Sequence, residues 1–473
     1  MTAIPFPLSS SPGQKPQEGA GRLVNAYAEK LGETARFPVA WKRAPGLRQK
    51  LNITGHSHLR GAILVSGTLL CVLDDRVYSV TESGGVFTEA NLGALTGSDR
   101  VTTAKNNAGT PQIVCVSPSE GCFNLFTGSA PTSFADVDLP QPNSVCMLDG
   151  YFIFSIGDGR IFASDLNSVS VSSSSYTTEQ GLALRRVVTF RGEVFAFGDL
   201  WCGVYRNAAT SPFPLERRFT IARGIAGIHA IAGWEPGWAN ELIWVGEDLR
   251  VYRMNGYTPE PISTPDVERA LSGASDASLL EASVYMTDGS PIWQITSPDE
   301  FTWEYNQRTG NWHERESYGR TDCRMSSSVK AFDLWLAGDR TTGKLFHIDS
   351  SYYREANDPL IFQIESGIVA NFPARFGAPR ADFDFTAAVG SASGEDPVQT
   401  DPQVRISWSD DGGYSWGNPV DRGLGAQGDG LAVATVLRTG LVKARGRRFR
   451  LQVSDPVHVG FMGGQLAAMQ RAA

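Results

Sequence analysis

Long apolar runs are missing from this sequence. None approaches the ~18 residues a membrane-spanning helix needs, so no membrane insertion is expected of the chain. The opening, Met1-Thr-Ala-Ile-Pro-Phe-Pro-Leu, has no basic region followed by an apolar stretch, so no secretory signal is expected. Lysine is scarce, with 8 of the 42 basic residues, the rest being arginine. Six cysteines occur, at 71, 115, 122, 146, 202 and 323, but no Cys-x-x-Cys pair. Their spacing fits neither a zinc site nor a disulfide framework, and buried free thiols in a reducing compartment are expected instead. Helical signal is thin as well. Thr264-Pro265-Asp-Val-Glu268 has a capping residue and Pro at the first helical position, which predicts one short helix there.

What is present is turn chemistry and β patterning. Fifty Gly and 26 Pro stand among 473 residues, and 41% of the chain is hydrophobic against 19% charged, so it folds and turns often. The length exceeds one ordinary core and predicts two or three domains. Charge is unevenly placed within a net of −8. Residues 1–58 hold eight bases and three acids (+5), and Arg438 to Arg450 hold six bases and no acid (+6), leaving 28 bases against 47 acids (−19) elsewhere. A body that acidic repels phosphate, so DNA would be guided by it and not gripped.

A unit of about forty residues recurs. Val145-Cys-Met-Leu-Asp149-Gly150-Tyr-Phe-Ile-Phe-Ser-Ile-Gly157-Asp158 and Val187-Val-Thr-Phe-Arg191-Gly192-Glu-Val-Phe-Ala-Phe-Gly198-Asp199 share one order of apolar run, Gly turn, apolar run and Gly-Asp turn. Such pairs suit two-residue hairpins, whose central residues need positive φ. Units begin near 60, 101, 145, 187, 229, 281 and 325, spaced by 41, 44, 42, 42, 52 and 44. That period with three or four short strands is the mark of propeller blades. The fold class is therefore all-β: a six- or seven-bladed β-propeller over 59–369, an extended N-terminal arm over 1–58, and a β-sandwich-like domain over 370–473. The arm, Pro- and Gly-rich at first, then Leu23 to Leu31 and Trp41 to Leu51, contains one strand suited to closing the ring or reaching a neighbour.

Several motifs compete with blander explanations. Gly338-Asp-Arg-Thr-Thr-Gly343-Lys344 matches the start of a phosphate-binding loop but continues with Leu345 where Ser or Thr is required, and a hairpin turn is expected. Gly423-Leu-Gly425-Ala-Gln-Gly428 matches the dinucleotide fingerprint only as text, for a strand follows it and no helix. His56-Ser-His58 lacks neighbouring ligands and is expected in an exposed loop. Ser409, Asp411, Gly413 and Trp416 fit the Asp-box, a hairpin turn whose Asp ties up backbone amides. In the cluster Arg438, Lys443, Arg445, Arg447, Arg448 and Arg450, alternation puts Arg448 and Arg450 on one strand face and Phe449 with Leu451 on the other. The bases are then either a solvated face or a contact for an acidic partner or passing DNA. No Gly-x-Ser-x-Gly elbow and no triad context is present, so no catalysis, metal or cofactor is expected.

Arg22-Leu-Val-Asn25-Ala-Tyr27-Ala-Glu29, then Arg43-Ala-Pro45-Gly46-Leu47 and Arg60-Gly61, resembles the opening of the packaged-DNA stabilisation family, the tail hub or nozzle proteins of short-tailed phages (podoviruses). The ending Arg448-Phe-Arg-Leu before Val453-Ser-Asp-Pro is similar too. The resemblance implies a structural virion protein, a homo-hexameric ring below the portal and its adaptor ring. Such a ring continues the DNA channel, retains the genome and carries a tail needle, tailspike or fibres, with assembly in the host cytoplasm. DNA would pass through without tight binding, and the basic cluster would serve subunit or adaptor contacts. The competing class is a sugar-active or sugar-binding propeller of sialidase type, suggested by the Asp-box. It implies a carboxylate pair, with Trp201, Trp244 or Trp293 around a central pocket.

Overall fold

Asp149-Gly150 and Asp288-Gly289 show how the blades turn. All four residues have positive φ (51° and 92°, 45° and 72°), and each pair joins two antiparallel strands with no intervening residue. In the computed structural model, which describes residues 2–32, 34–134, 136–178 and 183–469, such hairpins build seven blades of four strands, five as separate sheets and two within a nine-stranded and a six-stranded sheet. Six come from consecutive chain: 59–94, 102–133, 142–178, 184–221, 231–261 and 281–314. First strands lie side by side from the first blade to the fourth and from the fifth to the seventh, the fourth and fifth blades meet through Phe197 and Trp244, and the first strand of the seventh, Met325–Ala331, returns to that of the first, Leu59–Val65, so the ring closes.

Blade strands are buried on both sides, which is why they read as unbroken apolar runs. In strand Tyr151–Ile156, Phe152 and Phe154 pack with Val114 and Val116 of the second blade. Ile153 between them packs with Val187 and Val194 of the fourth. The predicted helix forms at Pro265–Ser272, capped by Thr264. Gly338–Lys344 is a turn between strands Leu334–Asp339 and Lys344–Asp349, and residues 424–432 form a loop ahead of strand Ala434–Leu437. All six cysteines are free, and burial pushes the Cys71 thiol up to about 12.

The first 58 residues run through the body of the molecule and not away from it. Gly46–Asn52 is the fourth strand of the seventh blade, antiparallel to Lys344–Asp349. Arg22–Val24 pairs with Asn311–Glu314 of the sixth blade and with Phe362–Glu365. Thr2–Ile4, Ala26–Lys30 and Val39–Arg43 join the C-terminal strands Phe376–Phe385 and Gly460–Met469 in a seven-stranded sheet. The reading as an arm failed because short strands of one segment pair with partners hundreds of residues away.

That sheet packs on a second one, in which Arg22–Val24, Phe362–Glu365, Arg448–Val453, Gln403–Ser409 and Val420–Gly423 continue the sixth blade. Leu23, Phe362, Phe383, Phe449 and Phe461 fill the space between, with the Phe383 and Phe449 rings 5.4 Å apart. Phe362–Glu365 thus belongs to the sandwich, which begins before residue 370.

Candidate functional site

The Asp-box folds as its residue types dictate. Strands Gln403–Ser409 and Val420–Gly423 pair antiparallel, and the turn between them wraps the Asp411 carboxylate. Asp411 accepts from the Ser409 hydroxyl (2.6 Å), the Tyr414 amide (3.0 Å) and the Ser415 amide (3.0 Å). The Gly413 amide donates to Ser409 Oγ at 2.8 Å. The Ser409 and Ser415 hydroxyls, then the amides, hold the Asp411 carboxyl far below the usual carboxylate range. Its stabilisation is present above the unfolded carboxylate value near 3.9 and is lost as pH falls further toward the depressed folded value. We expect Asp411→Asn to remove that acid-dependent part of the unfolding profile while neutral-pH stability falls only slightly, since the turn is solvated. Urea melts of both proteins across the acid range measure it, and identical pH profiles would refute it.

Trp416 is half-buried, and the Arg450 guanidinium lies 3.9 Å from its ring centre while bonding Glu365 at 2.9 Å. Arg447 and Arg448 are each 1% exposed. Arg447 makes a two-pronged pair with Asp410 (2.7 and 2.9 Å) and donates to the Thr439 carbonyl (2.8 Å). Arg448 donates to the carbonyls of Ser366 (2.9 Å), Pro16, Gly412 (3.5 Å) and Gly19 (3.5 Å). The strand face expected to be solvated is covered by residues 16–19 and the Asp-box turn, so these arginines hold the fold together. Arg438, Lys443 and Arg445 are exposed, beside the exposed apolar residues Phe372, Leu431, Val433, Leu437 and Leu441.

His56 and His58 are half-buried and not freely exposed; His56 Nε2 meets the Tyr78 hydroxyl at 2.8 Å. Among the described residues no group of three or more His, Cys, Asp or Glu is placed to hold a metal. Trp201, Trp244 and Trp293 are buried between blades and surround no central pocket, because each blade needs large apolar side chains on both faces.

Sequence patterning gave no hint of what occupies the propeller axis. Residues of non-adjacent blades come together there. Arg100, Arg186, His229, Glu235 and Glu281, from the second, fourth, fifth and sixth blades, lie within electrostatic reach of one another. Segment 233–238, after the first strand of the fifth blade, lies across the channel. Trp234 packs under Arg186 (5.6 Å), and Gly237 sits against Lys330 of the seventh blade. The Trp238 indole donates to the Tyr285 (3.2 Å) and Ile292 (3.1 Å) carbonyls of the sixth.

A third set of residues closes junctions within and between the propeller and the sandwich. Arg22 pairs with Glu314, and Asn25 Nδ2 donates to the Glu316 (2.8 Å) and Ile361 (3.0 Å) carbonyls. Arg43 donates to the carbonyls of Val453 (2.7 Å) and Asp455 (2.8 Å). Arg60, fully buried, donates to the carbonyls of Asp74 and Asp99, both at 2.7 Å. These are the residues whose pattern marks the N-terminal resemblance, and each closes a junction of the fold. A family model described as Bacteriophage P22 Gp10, β-propeller, matches residues 39–353, from the strand before the closing strand to the end of the seventh blade.

The chain belongs to this phage stabilisation family.

Membership makes it a phage DNA-stabilisation propeller protein and places it in the virion. No curated protein matches the sequence. Among solved structures, the WD40 propeller domain of Doa1 is similar over 64% of this chain and 97% of its own, at 10% identity and a TM-score of 0.42. PorZ, a surface component of the type-IX secretion system of Porphyromonas gingivalis, is similar over 70% of this chain and 44% of its own, at 11% identity and a TM-score of 0.40.

Proposed function

We propose that this stabilisation protein is a tail hub or nozzle: copies form a ring, a hexamer, that extends the DNA channel below the portal and adaptor. The ring helps retain packaged DNA and attaches the tail needle or fibres. The observation that carries this reading is the obstructed axis. Segment 233–238 touches the fourth, sixth and seventh blades, and Arg100 pairs with Glu281 beside it, which argues against a path for DNA through a single chain. Passage then requires a lumen between copies. An acidic remainder of −19 suits such a lumen, because each phosphate–base contact would slow exit.

The edge strand Ala434–Leu437 supports the same reading. It ends its sheet and carries Leu437 at 60% exposure, with Leu431 nearby at 91%. An edge so apolar needs covering, and Arg438, Lys443 and Arg445 beside it suit an acidic partner surface, in a neighbouring copy or the adaptor.

Mass photometry of the protein alone and mixed with a tail adaptor ring tests the proposal. We expect a species near six times 51.2 kDa, alone or on the adaptor, and its loss in Leu431→Asp/Leu437→Asp. A persistent monomer in both conditions would overturn the ring.

A further inference from the structure

The two outer faces of the sandwich carry opposite charge. On the seven-stranded sheet, Ala434, Val436 and Val442 point into the core, which leaves Leu437 and Leu441 on the other face, opposite Arg380 and Gly377 of the neighbouring strand. Leu437 and Leu441 are 60% and 40% exposed, and Val433, just before the strand, is 55% exposed. Arg438, Lys443 and Arg445 stand beside them, exposed and without an ion pair among the described residues.

The outer face of the second sheet is acidic. Val404 and Ile406 enter the core, so Gln403 and Arg405 face out, onto a groove of about 280 Å³. Ile361, Pro397 and Val398 give the groove apolar walls, and Asp401, Asp421 and Asp455 line it with a single base, Arg405. Arg405 is engaged by Asp421 at 3.2 Å, and Asp455 accepts from the Gln403 amide at 2.8 Å. Asp401 is exposed and pairs with no base among the described residues. Three acids against one base leave the groove negative. The two patches lie on opposite outer faces of sheets that pack about 10 Å apart, so they cannot meet within one copy.

We propose that the apolar, basic face of one copy seats in the acidic groove of the next, with Leu437 and Leu441 against Ile361, Pro397 and Val398 and the three bases over the aspartates. The proposal rests on the ring reading above and names the contact that builds the ring. Two different patches repeat head to tail and close a ring, whereas one self-matching patch stops at a dimer. Apolar burial supplies the attraction, and charge sets the register, because base would otherwise meet base.

Two charge-reversed proteins test it. Lys443→Glu/Arg445→Glu makes the basic face acidic, and Asp401→Arg/Asp421→Arg makes the groove basic. All four positions are exposed, so circular dichroism melts of both variants are expected to stay close to the parent's. In mass photometry, alone and on the adaptor ring, each variant by itself is expected to lose the six-copy species by about tenfold or more, because like charges face each other in every contact. Mixed in equal amounts, they are expected to restore it, the two proteins alternating so that every contact again joins opposite charges. Arg445→Met and Asp401→Asn, which remove charge without reversing it, are each expected to weaken the ring by a smaller factor. A ring formed by either reversed variant at the parent's yield, or a mixture that stays monomeric, would overturn this contact while the parent's ring stands. A parent monomeric in both conditions would overturn the ring reading and this contact together.

Discussion

Leu47→Asp is expected to abolish the native fold at ambient temperature. Leu47 is fully buried in the largest apolar core and sits opposite Ile348 in the strand that completes the seventh blade. Its carbonyl accepts from the Ala356 amide at 2.8 Å, so the strand is fastened on both sides. Truncating a buried leucine costs about 2–5 kcal/mol, and burying a carboxylate adds several more. Domains are stable by only about 5–15 kcal/mol, so the sum reaches the whole. Circular dichroism melts and limited proteolysis measure the effect, with Leu47→Met as the tolerated control at less than about 1.5 kcal/mol. If Leu47→Asp melted within a few degrees of the parent, the closing strand would not hold the ring.

The second large effect concerns Arg448. Its guanidinium gathers carbonyls from residues 16–19, Ser366 and the Asp-box turn, the first and last of which are also joined by the Gln17 amide donating to the Asp411 carbonyl. Arg448→Met leaves those oxygens without a donor, and we expect a loss of roughly 3 kcal/mol. The urea midpoint should fall at unchanged slope, with new protease cleavage within residues 12–20. Arg445→Met, three positions earlier and exposed, is expected to shift stability by less than about 0.5 kcal/mol. Equal effects of the two would show that Arg448 is not the staple its geometry makes it.

The sequence and the structure agree where function is local. Asp149-Gly150 announces its hairpin because positive φ selects those residue types, and seven such units announce a ring. The 52-residue spacing after His229 marks the blade that carries both the helix and the axial segment. Distance along the chain is what obscured the rest. Nothing within Thr2–Lys30 tells that its strands pair near residues 464, 314 and 364. Alternation at Arg448 failed for the same reason, since it reports which face a side chain takes and not what later covers that face. Trp234-Glu-Pro-Gly-Trp238 matches no motif, although two tryptophans in so short a turn are a signal of burial.

The closing strand also sets a clock. Gly46–Asn52 leaves the ribosome early, yet its partner Lys344–Asp349 follows only after the other six blades. At 5–20 residues per second that interval is on the order of tens of seconds, far longer than a hairpin takes to form. Through it the nascent chain carries an unpaired, partly apolar strand, and the sandwich waits longer still, for Thr2–Ile4 pairs with Gly460–Met469. Six blades can form as they emerge, but the ring locks only after Lys344–Asp349 has emerged, so chaperone capture of nascent chains should centre on residues 46–52.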